Sequence, residues 1–183
     1  MLRVAIFLVA SGAIFPLSRR SLREWRTHGF YRFFAFESLL ALIVLNAPVW
    51  FRDPFCARQI AAWLLGAVSI GLAIEGFRLL RVVGRPAPSA APSANLGFEN
   101  TTRLVTVGAY RWIRHPLYAS LLALAWGAYL KDPLGIGSIA LAVGSSGFLA
   151  ATAMAEEREN TARFGADYAG YMKRTWRFIP FLF

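Results

Sequence analysis

Arg114-His115-Pro116-Leu117-Tyr118 sets a guanidinium, an imidazole and a phenol within five positions. Pro116 suits the first turn of a helix, where its missing N–H costs nothing. His115 then falls near the N-cap. The free backbone N–H groups of that turn, with the helix dipole, favour an anion such as a carboxylate. The same residues also read as interfacial anchors, with Tyr118 in an aromatic belt. Glu156-Glu157 is a second cluster. Two adjacent acids at the mouth of an apolar helix are costly if buried without a cation; otherwise they mark an exposed helical extension. Glu159 and Arg163, four apart, can pair on that helix, whereas Glu157 has no local partner. The tail from Tyr168 to Pro180 mixes aromatic and basic residues, including Tyr171, Arg174 and Arg177. Alone it reads as an interfacial amphipathic segment. Glu75 and Glu37 lie inside apolar runs. Glu75 can pair with Arg78, while Glu37 has no local partner and stays a functional candidate.

The elements that position these residues are apolar. Of 183 residues, 57% are hydrophobic and only 16% charged, and mean hydropathy is +0.47. A soluble domain carries about 25% charged residues, so an ordinary cytosolic enzyme and a disordered chain are both excluded. The net charge of +10 sits in short basic blocks between apolar runs. That is the pattern of loops facing an anionic cytoplasmic leaflet, and no nucleic-acid partner is expected. The one cysteine, Cys56, excludes an internal disulfide, and His28 and His115 are far apart. No metal site is expected.

A bilayer-spanning helix takes about 20 mainly apolar residues. The expected spans are Leu2 to Leu17, about Phe33 to Phe51, about Gln59 to Leu80, Leu117 to Leu130, and Leu134 to about Ala155. The first is short, contains Pro16 and competes with a signal-peptide reading. An uncleaved span is preferred because its leading basic content is one arginine and a strong basic block follows. Lys131-Asp132-Pro133 makes a short turn, so the last two spans form an antiparallel hairpin. A helix end is expected at Phe164-Gly165, then a short helix from about Asp167 to Trp176. Five spans place sixteen basic residues on one side and four on the other, which puts the N-terminus outside and the C-terminal tail in the cytoplasm. Cleavage of the first would leave four. The expected fold is therefore all-α: an integral membrane helical bundle of about five transmembrane helices with a cytoplasmic C-terminal helical segment. Arg85 to Ala94, with three prolines among small residues, reads as a linker. It separates residues 1–94 from a C-terminal region, 95–183, that holds the chemistry.

Residues Leu104 to Tyr118 resemble the LV-x-x-G-x-Y-x-x-x-RHP-x-Y signature of the isoprenylcysteine carboxyl methyltransferase family, a group that includes membrane phospholipid methyltransferases. Glu156-Glu157, Phe164-Gly165, Tyr168, Tyr171, Arg177 and Pro180 fit the family's C-terminal run, in the same order. The resemblance covers about Thr102 to Pro180. It implies a five-span helical fold and S-adenosyl-L-methionine as methyl donor, held at the cytoplasmic face under the C-terminal segment. Thr102, Arg103, Leu104, Val105, Gly108, Tyr110, Arg114, His115, Pro116, Leu117, Tyr118 and Glu156 are the implied cofactor residues. Three departures stand out. Ser120 replaces the glycine after the signature, and Thr102 replaces a histidine before it. Thr152 replaces the arginine implied to hold a prenylcysteine carboxylate, with Arg174 or Arg177 as possible substitutes.

The expected function is methyl transfer from S-adenosyl-L-methionine to a lipophilic acceptor that is not a prenylcysteine. An aminophospholipid or an isoprenoid-like small molecule fits that description. A carboxylate acceptor needs no base; an amine does, and Glu157 or Tyr118 are the candidates. The acceptor is expected to enter from the bilayer and the cofactor from the cytosol, in a protein expected in a bacterial inner membrane. Two rivals stand beside this reading. One is a membrane reductase of the steroid-reductase type using NADPH. The other is a non-catalytic lipid-binding protein.

Overall fold

The structure, a computed structural model, describes residues 1–87, 100–133 and 135–182. Six α-helices follow one another: α1 (Leu2–Ser18), α2 (His28–Asn46), α3 (Ala57–Val82), α4 (Pro116–Tyr129), α5 (Ile136–Phe164) and α6 (Ala166–Met172). No β-strand occurs among the described residues. The proposed linker and the division at residue 94 fall largely on residues 88–99, outside those described.

Three helical stretches are long and apolar enough to cross a bilayer: His28–Val49, Ala57–Val82 and Ile136–Phe164. They expose Leu45, Leu64, Ile70, Ile74 and Val143. A membrane helix turns such side chains to lipid, because its backbone polar groups are already satisfied within the helix. α1 is shorter and lies on α2, with Phe15 edge-on to Phe33 at 6.5 Å. α4 has 14 residues, a rise of about 21 Å at 1.5 Å per residue. It runs antiparallel to α5 through the turn at Lys131-Asp132-Pro133.

The bundle is built from two tight pairs. α2 packs along α5 and α3 along α4, while no comparable α2–α3 contact exists among the described residues. Small residues allow the close approach. At Gly127 of α4 a Cβ would lie 3.2 Å from the Ala62 carbonyl of α3, so the backbones nearly touch there. Ala35, Tyr118, Ala119, Leu149 and Ala153 fill the core at the Glu156 end; Leu39, Leu42, Ala125, Ala128 and Ala142 fill it at the other. That far end is closed by polar groups. Lys131, buried, donates to Gln59 Oε1 at 2.7 Å and lies 3.3 Å from the Trp63 ring centroid. Asn46 donates to the Ala128 carbonyl at 2.8 Å and accepts from Ser138 at 3.0 Å.

Several sequence expectations are corrected. α2 begins at His28, five residues before Phe33, because Glu159 of α5 takes the His28 backbone N–H at 2.9 Å and its ring Nδ1 at 2.6 Å. Glu75 accepts the Ala109 backbone N–H at 2.9 Å, a role that pairing with Arg78 did not anticipate. α6 stops at Met172, short of Trp176, because the next residues bond to the segment before α4. Trp176 donates to the Trp112 carbonyl at 3.0 Å, and Arg114 donates to the Trp176 carbonyl at 2.7 Å. Backbone groups used across that contact are not available to prolong a helix.

Candidate active site

Gly108 sets the start of the site. Its φ of +58° favours glycine, and a Cβ there would lie 2.5 Å from Glu75 Oε1. The single turn Gly108–Arg111 is thereby pressed against α3, and Glu75 caps it. Tyr110 and Ile113 are buried by this turn. His115 then occupies the N-cap of α4, with Pro116 in the first turn. Its backbone N–H is taken by the Arg177 carbonyl at 3.2 Å.

The C-terminal tail is fastened over this corner. Arg114 Nε donates to Glu157 Oε1 at 2.8 Å, and Arg177 donates to both Glu157 oxygens at 3.1 and 2.9 Å. Arg114 also donates to the Met172 and Thr175 carbonyls. Tyr171 donates to the Tyr110 carbonyl at 2.6 Å. Gly165, at φ +56°, turns the chain from α5 into α6. Burial pushes the phenols of Tyr168 and Tyr171 well above their ordinary range, and the negative charge of Glu156 adds to this at Tyr168.

His115 sits between the two acids, with Nδ1 3.7 Å from Glu156 Oε2 and Nε2 3.4 Å from Glu157 Oε1. Its ring stacks on Tyr118 at 5.4 Å. Nε2 is buried and makes no hydrogen bond among the described residues.

Beside it lies a cavity of about 490 Å³, within the range of roughly 300–1,000 Å³ usual for small-molecule sites. One end is polar, walled by Tyr110, Arg114, His115, Glu156, Asn160, Tyr168 and Tyr171; the other is apolar, walled by Phe36 of α2, Ile74 and Phe77 of α3, and Leu117 and Leu121 of α4. Of the residues singled out from sequence, Leu104, Val105, Tyr110, Arg114, His115, Leu117, Tyr118 and Glu156 form its wall. Thr102, Arg103, Gly108 and Pro116 do not. Thr102 and Arg103 are exposed, and Thr102 donates to the Arg85 carbonyl at 2.9 Å. Thr101 takes the wall position instead.

The candidate catalytic groups divide likewise. Tyr118 is in the wall. Glu157 is outside it, where it accepts from Arg114 and Arg177 and acts as a strut. Arg177 is bound to that strut. Arg174 is exposed and, among the described residues, its side chain donates to the Gly170 carbonyl at 3.3 Å. Thr152 is fully buried, donates to the Phe148 carbonyl at 2.7 Å and does not line the cavity. Glu37 is also outside, its Oε1 buried and without a hydrogen bond among the described residues. Sequence reasoning missed Arg32, Phe36, Asn160 and the α3 wall. Only the four-residue spacing of Arg32 and Phe36 hinted at a shared face.

Over 71 residues the chain is 27% identical to the methanethiol S-methyltransferase of Mycobacterium tuberculosis (strain ATCC 25618 / H37Rv), a stretch covering 39% of this chain and 28% of that protein. The similarity thus spans less than a third of the relative's length. No protein-family profile matches the chain, and no solved structure does.

Proposed function

We propose that the protein is an integral membrane methyltransferase that uses S-adenosyl-L-methionine and methylates a lipophilic acceptor. The observation that carries this reading is one cavity with a polar end at the α4 N-terminus and an apolar end between α2 and α3. When bound, the cofactor supplies an activated methyl group on a sulfonium. The residues present fit it. The first-turn N–H groups of α4 suit its carboxylate, Glu156 suits its ammonium or ribose hydroxyls, and the Tyr110, Tyr118 and Tyr168 rings suit the sulfonium and the flat base. His115 Nδ1, 3.7 Å from Glu156 Oε2, adds a polar atom at the same corner.

The chain's own work is alignment and exclusion of water. The Glu157 strut holds the tail over the polar end, so Tyr168 and Tyr171 close that end from above. The gap between α2 and α3 leaves the apolar end open sideways to lipid, and this is the acceptor's entrance. In this reading all five apolar helices cross the bilayer, with the segment before α4 and the tail filling depth on the cytoplasmic side. The similarity to a methanethiol methyltransferase supports the reaction class, and a thiol belongs among the acceptors to try.

The test incubates the protein in lipid discs with methyl-labelled cofactor and a membrane lipid extract, then identifies the labelled product by mass. Calorimetry with S-adenosylhomocysteine and NADPH runs alongside. Label transfer and binding of S-adenosylhomocysteine are expected. Binding of NADPH instead would favour a reductase, and binding of neither would favour a non-catalytic protein.

A further inference from the structure

The tail after α6 reaches the level of the apolar helices. Phe178 belongs to the same core cluster as Leu149 and Ala153, and those two residues lie in the uncharged run of α5 from Ile136 to Ala155. Backbone bonds hold this part of the tail beside the segment before α4, with Trp176 paired in parallel to Ile113. The outer side of the pair is apolar and exposed. Trp112 is 48% exposed, Ile179 52%, Phe181 76% and Leu182 75%. The Phe181 ring lies 4.6 Å from that of Trp176 and 6.5 Å from that of Trp112. Phe181 holds this position at φ +66°, a left-handed conformation that is costly for a residue with a Cβ. Single apolar side chains on a surface need no explanation. A cluster of aromatic rings where an apolar helix ends has the character of a membrane-interface contact. Its surroundings are basic. Arg111 lies 5.5 Å from the Trp112 ring centroid, and Lys173 and Arg174 are exposed. No Asp or Glu occurs from Thr101 to Tyr118 or from Tyr168 to Phe183.

We propose that this cluster docks the tail on an anionic lipid surface, and that docking clamps the tail over the polar end of the cavity. The apolar side chains of Ile179, Phe181 and Leu182 enter the boundary of the acyl chains. The indole of Trp112 sits at headgroup level, and Arg111, Lys173 and Arg174 meet lipid phosphates. The mechanical link is short. The same stretch that carries Trp176 and Phe181 follows directly on α6, whose Tyr168 and Tyr171 wall the polar end. A tail held down by lipid keeps those two rings in place, so anionic lipid tightens the hold on whatever occupies that end. Docking stands on the surface itself; its effect on the cofactor rests on the proposed function.

The test places the full-length protein, one copy per disc, in phosphatidylcholine alone or mixed equally with phosphatidylglycerol. Hydrogen exchange of the peptides after Met172 reads docking, and calorimetry with S-adenosylhomocysteine reads the cavity. Phosphatidylglycerol is expected to slow exchange over residues 176–182 by about tenfold or more, given three cations beside an anionic surface. It should also tighten S-adenosylhomocysteine several-fold, and added salt should erase both gains. Combining Arg111→Gln, Lys173→Gln and Arg174→Gln should abolish the difference between the lipids, with a wild-type melting temperature in detergent. Phe181→Ser with Leu182→Ser should quicken exchange in both lipids. A merely structural role for the three cations would instead lower the melting temperature in detergent and loosen the tail in both lipids alike. Equal exchange in the two lipids for the wild type, or a lipid difference that survives the triple substitution, overturns docking. Protection that appears only in discs holding two copies assigns the surface to a second copy of the chain and overturns it as well. Lipid-dependent exchange with unchanged S-adenosylhomocysteine affinity overturns the clamp. Failure of S-adenosylhomocysteine to bind in either lipid would defeat the proposed function, while the exchange comparison would still decide docking.

Discussion

Arg114 and Glu157 are forty-three residues apart in sequence and meet at 2.8 Å, joining the segment before α4 to the end of α5. The same carboxylate holds Arg177, so a single buried acid ties three parts of the chain together. Removing one partner of a buried ion pair strands the others. Glu157→Ala should therefore cost about 3–5 kcal/mol. A lowered melting temperature, with proteolysis of the tail after Met172, is the expected outcome. A melting temperature equal to wild type would show that the tail is held by its backbone bonds alone.

Glu156 and His115 line the cavity, and His115 also lies between Glu156 and the Glu157 strut. Glu156→Ala and His115→Ala should each weaken S-adenosylmethionine binding by about 1.5–3 kcal/mol, the cost of a charge-assisted hydrogen bond. Calorimetry on both variants checks this. Unaltered affinity in the pair would return these residues to an interfacial-anchor role.

Tyr168 and Tyr171 should titrate late. Burial raises both phenols in the folded state, so the folded protein holds those protons more firmly than the unfolded chain does. Their contribution to stability is full below the ordinary phenol value of about 10 and is lost as pH climbs through the raised values. Ultraviolet titration of phenolate should show tyrosines that ionise only as the tail releases. Tyr171→Phe should remove one of them and also loosen the contact with Tyr110.

Lys131 lies at the opposite end of the bundle from the cavity. Lys131→Ala leaves Gln59 Oε1 without its 2.7 Å donor and should destabilise by about 1–3 kcal/mol, the cost of an unmade buried hydrogen bond. Cofactor affinity should not change. A drop in affinity matching that of Glu156→Ala would mean that the two ends are coupled.

The proposed orientation rests on charge. Reporters fused at the C-terminus should be active in the cytoplasm, given sixteen basic residues on that side against four. Activity confined to the far side of the membrane would invert the bundle.

The helices were legible in the sequence because apolar runs and prolines act locally. The run from Gln59 to Leu80 becomes α3 with two more residues at each end, and Gly165 ends α5 where its φ of +56° requires a residue without Cβ. Pro116 opening α4 and His115 at its cap were readable for the same reason. The site was only partly legible. Glu157 drew notice as an acid without a local partner, and only the folded tail supplied Arg114 and Arg177. Arg32 gave no signal beyond the basic block it closes. Its place in the cavity depends on α2 lying against α5, with His28 reaching Glu159 across 131 positions. Periodicity decides which residues share a helix face. Which faces enclose a cavity depends on how the helices pack, and here the pairing of α2 with α5 and α3 with α4 brings faces of α2 and α3 to one cavity, which no local pattern encodes.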